Sequence, residues 1–255
     1  MKAHDTISAA IQAAVARGRP ALVGFLTAGF PSRARFAADL AAVAGVCDVV
    51  EIGVPFSDPM ADGTTIQRAS FAALADGVTL PWILQELGRR AGPRTTPILL
   101  MSYLNPLLSY GLDKLPHDAA AAGVAGFIVP DLPYEESDDL KTALDREGLA
   151  LVQMVTPVTP PDRLAMLCKS AQGFVYAVTM TGTTGKSAGV PDDVLAYMDR
   201  VKRCSTVPVC AGFGIRSRDQ VALFGAHVDG VVVGSALVEA LERGDDVPRF
   251  LQSLR

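Results

Sequence analysis

Two acidic side chains lie close together in the segment that spans residues 48–63. Glu51 stands at the end of an apolar, β-branched run, residues 49–52, which is typical of a buried strand. Asp62 follows in a loop bounded by prolines and a glycine. A buried carboxylate without a partner is costly, but its shifted pKa suits general acid–base chemistry. The segment therefore predicts an acid–base pair at the mouth of a parallel sheet.

The residues also allow simpler interpretations of both acids. Glu51 could pair with a cation inside the sheet, although no Lys or Arg stands at the end of any predicted strand. Asp62 could cap a helix that begins near Thr64, since Asp is favoured at the N-cap position. Spacing alone leaves these alternatives open.

Apolar runs and helical patterns alternate along the chain at about 30 residues per unit, which is the βαβ pattern. The predicted strands are residues 21–26, 49–52, 97–101, 126–129, 149–155, 174–178, 207–211 and 228–233. The predicted helices between them are residues 32–44, 66–74, 81–90, 113–122, 135–146, 161–169, 192–202 and 218–224. Eight units without a break in composition favour an α/β fold, a closed (β/α)8 barrel, over an open doubly wound sheet.

The two ends of the chain add further helices to this plan. Residues 7–17 predict an extra N-terminal helix that caps the barrel floor, and residues 247–254 predict a final packing helix. We expect all residues, 1–255, to form a single barrel domain. In such a barrel the active site lies at the C-terminal ends of the strands.

Glycines follow three consecutive predicted strands, in residues 182–185, 212–214 and 234–235. Loops after the seventh and eighth strands, together with a helix N-terminus, form a common phosphate site in barrels. Glycines let backbone N–H groups approach the anion, and the helix dipole favours negative charge. Each glycine alone could serve an ordinary turn, but the three loops together favour a phosphate site.

Several function classes are disfavoured by composition. The net charge is −4, which gives no basic field for nucleic acid or an anionic membrane. No apolar stretch reaches about 18 residues, so we expect no membrane span and a cytoplasmic location. The four cysteines lie in or next to apolar runs, which predicts small buried hydrophobes rather than a disulfide framework.

Metal and covalent mechanisms lack suitable residues. The three histidines, His4, His117 and His227, show no metal-ligand spacing. No lysine lies within a predicted strand, which disfavours a Schiff-base nucleophile, and Lys186 lies beyond the sixth-strand loop. After metal and covalent mechanisms are disfavoured, the residues still allow phosphate binding combined with acid–base catalysis by carboxylates.

Residues 51–63, EIGVPFSDPMADG, resemble the signature of the tryptophan synthase alpha chain family. Further motifs are similar to those of the family in the same order: Asn105-Pro106, residues 130–136, residues 182–185, residues 212–215 and residues 234–236. The resemblance implies a TIM barrel that cleaves indole-3-glycerol phosphate to indole and glyceraldehyde 3-phosphate. The first motif is highly specific, whereas the glycine loops alone fit several phosphate-binding barrels.

The resemblance also implies roles for individual residues. Glu51 donates a proton to indole C3 and later accepts one from the side-chain hydroxyl, and Asp62 stabilises the indole N–H, which favours catalysis over helix capping for Asp62. Tyr176 positions Glu51. The residues implied to bind the substrate are Tyr176, Phe25, Met101, Thr184, Gly185, Phe213, Gly214, Gly234 and Ser235.

The family works with a beta chain that carries pyridoxal phosphate and receives indole through a tunnel. By this likeness we expect an alpha2-beta2 heterotetramer, with neither a cofactor nor a metal in this chain. The loops around Asp58-Pro59 and Asn105-Pro106 are implied to face the partner. Alternatives are a stand-alone indole-releasing lyase, another phosphosugar enzyme on this barrel, or an inactive regulatory partner.

Three positions depart from the family pattern. Thr64 stands where proline is common, Thr183 stands where valine is common, and Phe30 stands where aspartate is frequent. Loss of a proline makes a loop less rigid. We therefore expect a less rigid second loop, with the chemistry unchanged.

Overall fold

Eight parallel strands close into a barrel in the order of the sequence. The structure is a computed structural model, and it describes residues 2–90, 95–179, 192–212 and 214–255. The strands are β1 Ala21–Thr27, β2 Val49–Gly53, β3 Ile98–Met101, β4 Val124–Ile128, β5 Ala150–Val155, β6 Val175–Val178, β7 Val209–Gly212 and β8 Gly230–Val233. Each predicted strand is present, with ends that differ by one or two residues, so the barrel prediction is confirmed. The single-domain prediction for residues 1–255 stays a prediction.

Helices surround the barrel in the described part of the chain. They are α1 Ala3–Ala16, α2 Phe36–Ala44, α3 Thr64–Ala75, α4 Leu80–Gly88, α5 Leu104–Tyr110, α6 Leu115–Ala122, α7 Asp138–Arg146, α8 Pro161–Ser170, α9 Asp192–Cys204, α10 Arg218–Gly225, α11 Ser235–Arg243 and α12 Val247–Ser253. Short 3-10 helices, Arg33–Arg35 and Tyr134–Glu136, precede α2 and α7. The predicted helices 32–44 and 135–146 therefore each begin with a tighter turn.

The strands bury both faces, and alternate side chains belong to two separate clusters. In β2, Val49 lies in the cluster that fills the barrel, whereas Val50 and Ile52 pack towards the helices. Because side chains alternate along a strand, Glu51 shares the inner face with Val49. The periodicity thus places a carboxylate inside the barrel, one layer nearer the mouth.

Helix α1 closes the N-terminal end of the barrel. Its buried side chains, Ile7, Ile11 and Ala14, belong to the same cluster as the inward-facing strand residue Val49 and as Phe174, just before β6. The side chain of Ile7 also packs over Gly173, just before β6. The expected cap on the barrel floor is therefore present, and the open end is the C-terminal one.

Helix α5 differs from the sequence interpretation, which placed Asn105-Pro106 in a loop. Both residues lie in the first turn of this helix, where the missing N–H of a proline removes no helical hydrogen bond. The Asp131 carboxylate, from the loop after β4, accepts hydrogen bonds from the Leu104 N–H at 2.9 and 3.2 Å. The helix is thus capped by a residue that is distant in sequence.

The cysteine prediction holds for three of the four residues. Cys47, Cys168 and Cys210 are buried free thiols, and Cys204 is exposed at the end of α9, so that expectation is wrong there. Among the described helices, none has the length and apolar character that crossing a membrane requires.

Candidate active site

A cleft opens at the C-terminal mouth of the barrel and collects most of the predicted site residues. Its empty space is about 510 Å³, including the part open to solvent. Its lining residues are Phe25, Glu51, Asp62, Gly63, Ile66, Met101, Tyr176, Gly214, Val232, Gly234 and Ser235. The two carboxylates therefore face one space together with the apolar residues and the glycines.

Glu51 is a buried acid that forms no salt bridge within the described residues. Its side chain is 1% exposed, and its Oε2 atom has no hydrogen-bond partner within the described residues. Burial raises the pKa of Glu51 to about 8, and the charge of Asp62 contributes to this rise. In the part of the chain that the structure describes, the salt-bridge alternative is therefore wrong. The carboxyl group is held protonated at neutral pH.

Asp62 is half-buried and has a hydrogen-bond donor. Burial raises the pKa of Asp62 to about 6, and the hydrogen bond from the Tyr103 hydroxyl opposes this rise. The Tyr103 oxygen in turn accepts the Ala61 N–H at 2.9 Å. The Tyr103 ring stacks on Phe56, with ring centroids 5.1 Å apart. Tyr103 thus fixes the Asp62 loop from the strand β3 side, and Asp62 is ionised at neutral pH.

The helix-cap alternative for Asp62 is also wrong. Helix α3 begins at Thr64, its N-cap residue is Gly63, and no side chain caps it. Asp62 lies one position further out, and the Gln67 side chain donates to its backbone oxygen at 2.9 Å. The loop is therefore tied down through its backbone, while the carboxylate is left for the cleft.

Tyr176 lies on β6 with its ring inside the barrel and only 4% exposed. Burial, followed by the charges of Glu51, Cys210 and Asp62, raises its pKa, so the phenol stays protonated. Its register partner on β7 is Cys210, and its ring reaches Gly212 at the end of β7, where an added Cβ atom would lie 2.3 Å from the Tyr176 oxygen. Gly212 therefore provides the space that the tyrosine ring occupies.

An apolar wall faces the two acids. Phe25 is paired with Glu51 in the β1–β2 register, and Met101 ends β3. Gly53 makes room for the aromatic ring, since a Cβ atom at this position would lie 2.6 Å from Phe25. A flat aromatic ligand can pack against this wall with the carboxylates at its polar edge.

A further part of the cleft lining is built from glycines and a helix N-terminus. Gly214 has φ +84°, a conformation that L side chains rarely adopt. Gly234 is the N-cap of α11, and Ser235 is its first residue. The first N–H groups of a helix have no partner within the helix, and they bind anions readily. This side of the cleft, named here the phosphate edge (Gly214, Gly234 and Ser235), suits a phosphate group.

Some predicted residues lie elsewhere or outside the described part of the chain. Thr184, Gly185 and Phe213 fall outside the described residues. Of the predicted partner-facing residues, Asp58 and Asn105 are exposed, Pro106 is half-buried and Pro59 is buried. The neighbouring side chains of Met60 and Leu108 are 81% and 50% exposed.

Sequence reasoning missed the role of Tyr103. Tyr103 stands two residues after the third predicted strand, residues 97–101, and no function was predicted for it. The signal was its position, because a polar side chain at a strand C-terminal end points to the site of a barrel. What was missing was its partner, Asp62, which lies in a different loop. Within the described residues, no group of His, Cys, Asp and Glu side chains is arranged to hold a metal ion.

Comparisons with known proteins agree with this geometry. The family model described as tryptophan synthase alpha chain matches residues 11–253. The tryptophan synthase alpha chain of Solidesulfovibrio magneticus is 47% identical over 253 residues, which cover 99% of each chain.

Two solved structures show the same likeness in three dimensions. Tryptophan synthase subunit alpha from Legionella pneumophila is 31% identical, with a TM-score of 0.88 over 100% of this chain and 97% of the other. A chain of Mycobacterium tuberculosis tryptophan synthase in an aminoacrylate-bound form is 35% identical, with a TM-score of 0.87 over 98% and 97% of the two chains. The family model and these relatives agree with the barrel and its pair of acids, and the chain belongs to the tryptophan synthase alpha chain family.

Proposed function

We propose that this chain cleaves indole-3-glycerol phosphate by a retro-aldol reaction, as the alpha subunit of tryptophan synthase. The observation that carries this proposal is the pair of acids in one cleft. Burial raises the pKa of Glu51 to about 8, while the pKa of Asp62 is about 6. At neutral pH the cleft therefore offers one proton donor and one anion, as acid–base chemistry on a neutral heterocycle requires.

The two sides of the cleft suggest how the substrate lies. The phosphate group binds at the phosphate edge, where α11 begins. The indole ring packs against Phe25 and Met101, with its nitrogen towards Asp62 and its C3 towards Glu51. Thr184, Gly185 and Phe213 complete the site by the family resemblance. Such a placement anchors both ends of the molecule, which holds the bond to be broken between the reacting groups.

The steps follow from the protonation states. The Glu51 carboxyl group gives its proton to indole C3, and the positive charge that develops on the ring nitrogen is stabilised by the Asp62 carboxylate. The Glu51 carboxylate then takes the proton of the side-chain hydroxyl. The electron pair of that O–H bond forms the aldehyde, and the carbon–carbon bond breaks with its electrons returning to the ring. Tyr176, buried beside Glu51, positions the carboxyl group.

Membership of the family implies a beta-chain partner, and we propose an alpha2-beta2 heterotetramer with pyridoxal phosphate held only by the beta chain. The partner-facing surface that we propose contains Asp58, Pro59, Asn105 and Pro106. The exposed side chains of Met60 and Leu108 support this assignment, because apolar groups in an interface core favour association. The cytoplasmic location stays a prediction.

The test is indole release from indole-3-glycerol phosphate, measured for the wild-type chain with and without a beta chain. We expect Glu51→Gln and Asp62→Asn each to lower turnover by at least about two orders of magnitude with an unchanged circular dichroism spectrum. The matched control is Asp39→Asn, since Asp39 is a buried carboxylate on α2 that pairs with Arg35 away from the cleft.

Three outcomes would contradict parts of the proposal. A wild-type chain that releases no indole, even with a beta chain, would point to another phosphosugar enzyme. High turnover that does not change when the beta chain is added would indicate a stand-alone lyase. Near-normal activity in Glu51→Gln would remove the acid–base assignment.

A further inference from the structure

Two neighbouring helices begin at the cleft. Helix α3 begins at Thr64, directly after Asp62-Gly63, and α11 begins at Ser235, in the phosphate edge. The two helices pack against each other. A substrate that binds both Asp62 and the phosphate edge requires a fixed spacing between these helix starts.

The Glu239 side chain, on α11, joins the two sides. Its Oε1 atom accepts a hydrogen bond from the Thr65 hydroxyl, in the first turn of α3, at 3.2 Å. Its Oε2 atom pairs with the guanidinium group of Arg216. Arg216 lies two residues after Gly214, and its backbone N–H is held by the Gln220 side chain at 2.8 Å. One carboxylate therefore contacts α3, α11 and the loop after β7.

The charge state of Glu239 suits this double contact. Burial raises its pKa, but the hydrogen bond and charge of Arg216, with the hydrogen bond of Thr65, outweigh burial and leave the pKa below its usual value. The carboxylate is thus ionised at neutral pH and accepts hydrogen bonds through both oxygens. Hydrogen bonds to charged groups are stronger than those between neutral groups.

The first turn of α3 needs such an anchor. Its N-cap is Gly63, which has no side chain, and no side-chain hydrogen bond caps the helix among the described residues. The Gln67 side chain fixes the backbone of Asp62 from within the loop. The hydrogen bond from Thr65 to Glu239 connects this turn to α11, which begins in the phosphate edge.

We propose that Glu239 is a positioning residue that fixes the Asp62 loop relative to the phosphate edge, through Thr65 on one side and Arg216 on the other. This inference rests on the proposed function, since it presumes a ligand that spans both sides. Glu239 does not touch the substrate. It sets the distance between the Asp62 carboxylate, which stabilises the indole nitrogen, and the phosphate edge.

A second pair of residues provides an internal control. The Arg68 guanidinium bonds the Glu242 carboxylate at 2.7 Å, one turn further along both helices. This pair also joins α3 to α11, but among the described residues it is not part of the side-chain hydrogen bonds that link Thr65, Glu239 and Arg216. Its loss should affect the packing of the helices without moving Asp62.

The kinetic test uses Thr65→Val, which removes the hydroxyl donor and keeps the side-chain shape. We expect kcat for indole-3-glycerol phosphate cleavage to fall about three- to tenfold, because the lost interaction resembles one hydrogen bond. Inhibition by glycerol phosphate, which contacts the phosphate edge alone, should be unchanged. Thr65→Ser should restore kcat, and Arg68→Met should leave it at the wild-type value.

A double variant tests the link to Glu239. Thr65→Val should add no further loss of kcat in a Glu239→Ala background, since both changes break the same contact. Additive losses would overturn the inference. So would wild-type kcat in Thr65→Val, or an equal loss in Arg68→Met.

A second readout separates this inference from the proposed reaction. Saturating inorganic phosphate should slow amide hydrogen exchange at residues 234–237 and, through Glu239, at residues 62–68. In Thr65→Val only the first effect should remain. Protection of residues 62–68 that is absent in the wild type or unchanged in Thr65→Val would overturn the inference. If the wild type shows the coupling but releases no indole, the proposed reaction fails while the positioning role of Glu239 stands.

Discussion

Glu51 and Asp62 are two acids whose surroundings give them opposite charge states. Both are removed from water, but Asp62 receives a hydrogen bond from Tyr103, whereas Oε2 of Glu51 lacks a partner among the described residues. A donor favours the charged form of a carboxyl group, and burial favours the neutral form. The difference in their roles therefore comes from their surroundings: Glu51 is the more deeply buried and lies beside the charge of Asp62, while Asp62 has the Tyr103 phenol as a donor.

The rate of indole release should depend on pH through these two acids. Asp62 must be ionised and Glu51 must be protonated, so kcat/KM should fall below the pKa of about 6 and above the pKa of about 8. A bell-shaped profile with these limbs, measured between about pH 5 and pH 9, is the expected result. Because the acids interact, the two limbs belong to the pair. A profile that stays flat to about pH 9 would contradict the assignment of Glu51 as the acid.

Replacement of Glu51 by glutamine should change the pH dependence of stability. The folded pKa of about 8 lies above the unfolded value of about 4.5, so the stability that the carboxyl group contributes is complete below pH 4.5 and is lost as the pH rises through 8. The amide of the variant cannot ionise. The free energy of unfolding of Glu51→Gln should therefore rise relative to the wild type between about pH 5 and pH 9, by on the order of a few kcal/mol.

Urea titrations at several pH values measure this difference. Asp39→Asn is again the control, because Arg35 compensates part of the burial at that position. A difference between Glu51→Gln and the wild type that does not change with pH would show that Glu51 ionises as freely as it does in the unfolded chain.

The side chains of the site were partly predictable from the sequence. Glu51 stands out because a charged residue interrupts an apolar strand, and the alternation with Val49 gives its direction. Tyr103 could not be assigned in the same way, since its function depends on Asp62, to which no local pattern connects it. The capping alternative for Asp62 was removed only by the observed start of α3 at Thr64.

At two places in the barrel, an aromatic ring on one strand fills the space beside a glycine on the next strand. Phe25 on β1 covers Gly53 on β2, and Tyr176 on β6 covers Gly212 on β7. In each pair the glycine ends its strand, and the ring fills the space where a side chain would be. The positions of these rings are therefore set by the adjacent strands and not by the loops.

Gly212→Ala tests the second pair. The new Cβ atom would lie 2.3 Å from the Tyr176 oxygen, so the ring or the strand must move. We expect the free energy of unfolding to fall by about 1–3 kcal/mol, and the turnover of indole-3-glycerol phosphate to fall about tenfold or more, because small misplacements of reacting groups are costly.

Gly88→Ala is the matched control, since at the end of α4 no described atom outside the backbone of the helix lies within 4 Å of the added carbon. It should keep wild-type turnover. Wild-type turnover in Gly212→Ala would mean that the position of Tyr176 is not important for the reaction.

The elements of the barrel were more predictable than their capping. The eight strands are nearly continuous apolar runs, and the period of their alternation with helices gave the topology. Helix α5 was missed because it is short, it contains Pro106, and its cap comes from Asp131 in the loop after the next strand. Residues that are distant in sequence but meet in space leave no pattern in a single chain.

The two ends of the barrel have different tasks. The C-terminal mouth holds the cleft, and the N-terminal end is packed by α1, whose Ile7 and Ile11 are fully buried. In this architecture, residues at the lower end serve stability and residues at the upper end serve chemistry. Substitutions at the two ends should therefore separate these properties.

Ile11→Ala should lower the free energy of unfolding by about 2–5 kcal/mol, because it leaves a cavity in a close-packed region. At a temperature well below the unfolding midpoint, kcat should stay at the wild-type value. Thermal unfolding and an indole assay on the same sample measure both quantities. Val15→Ala, on the same helix but 43% exposed, should change neither by much, and a large loss of kcat in Ile11→Ala would show that the floor and the cleft are coupled.

The packing of α1 over the barrel floor also affects how ligands enter and leave the cleft. With the floor filled, the C-terminal mouth serves as both entrance and exit for the ligand of the cleft. A charged product bound at the phosphate edge and an apolar product bound against Phe25 then both leave through the same opening. A protein that docks over the mouth, beside Met60 and Leu108, would control the release of both products. The order in which the two products leave would then depend on what covers the barrel.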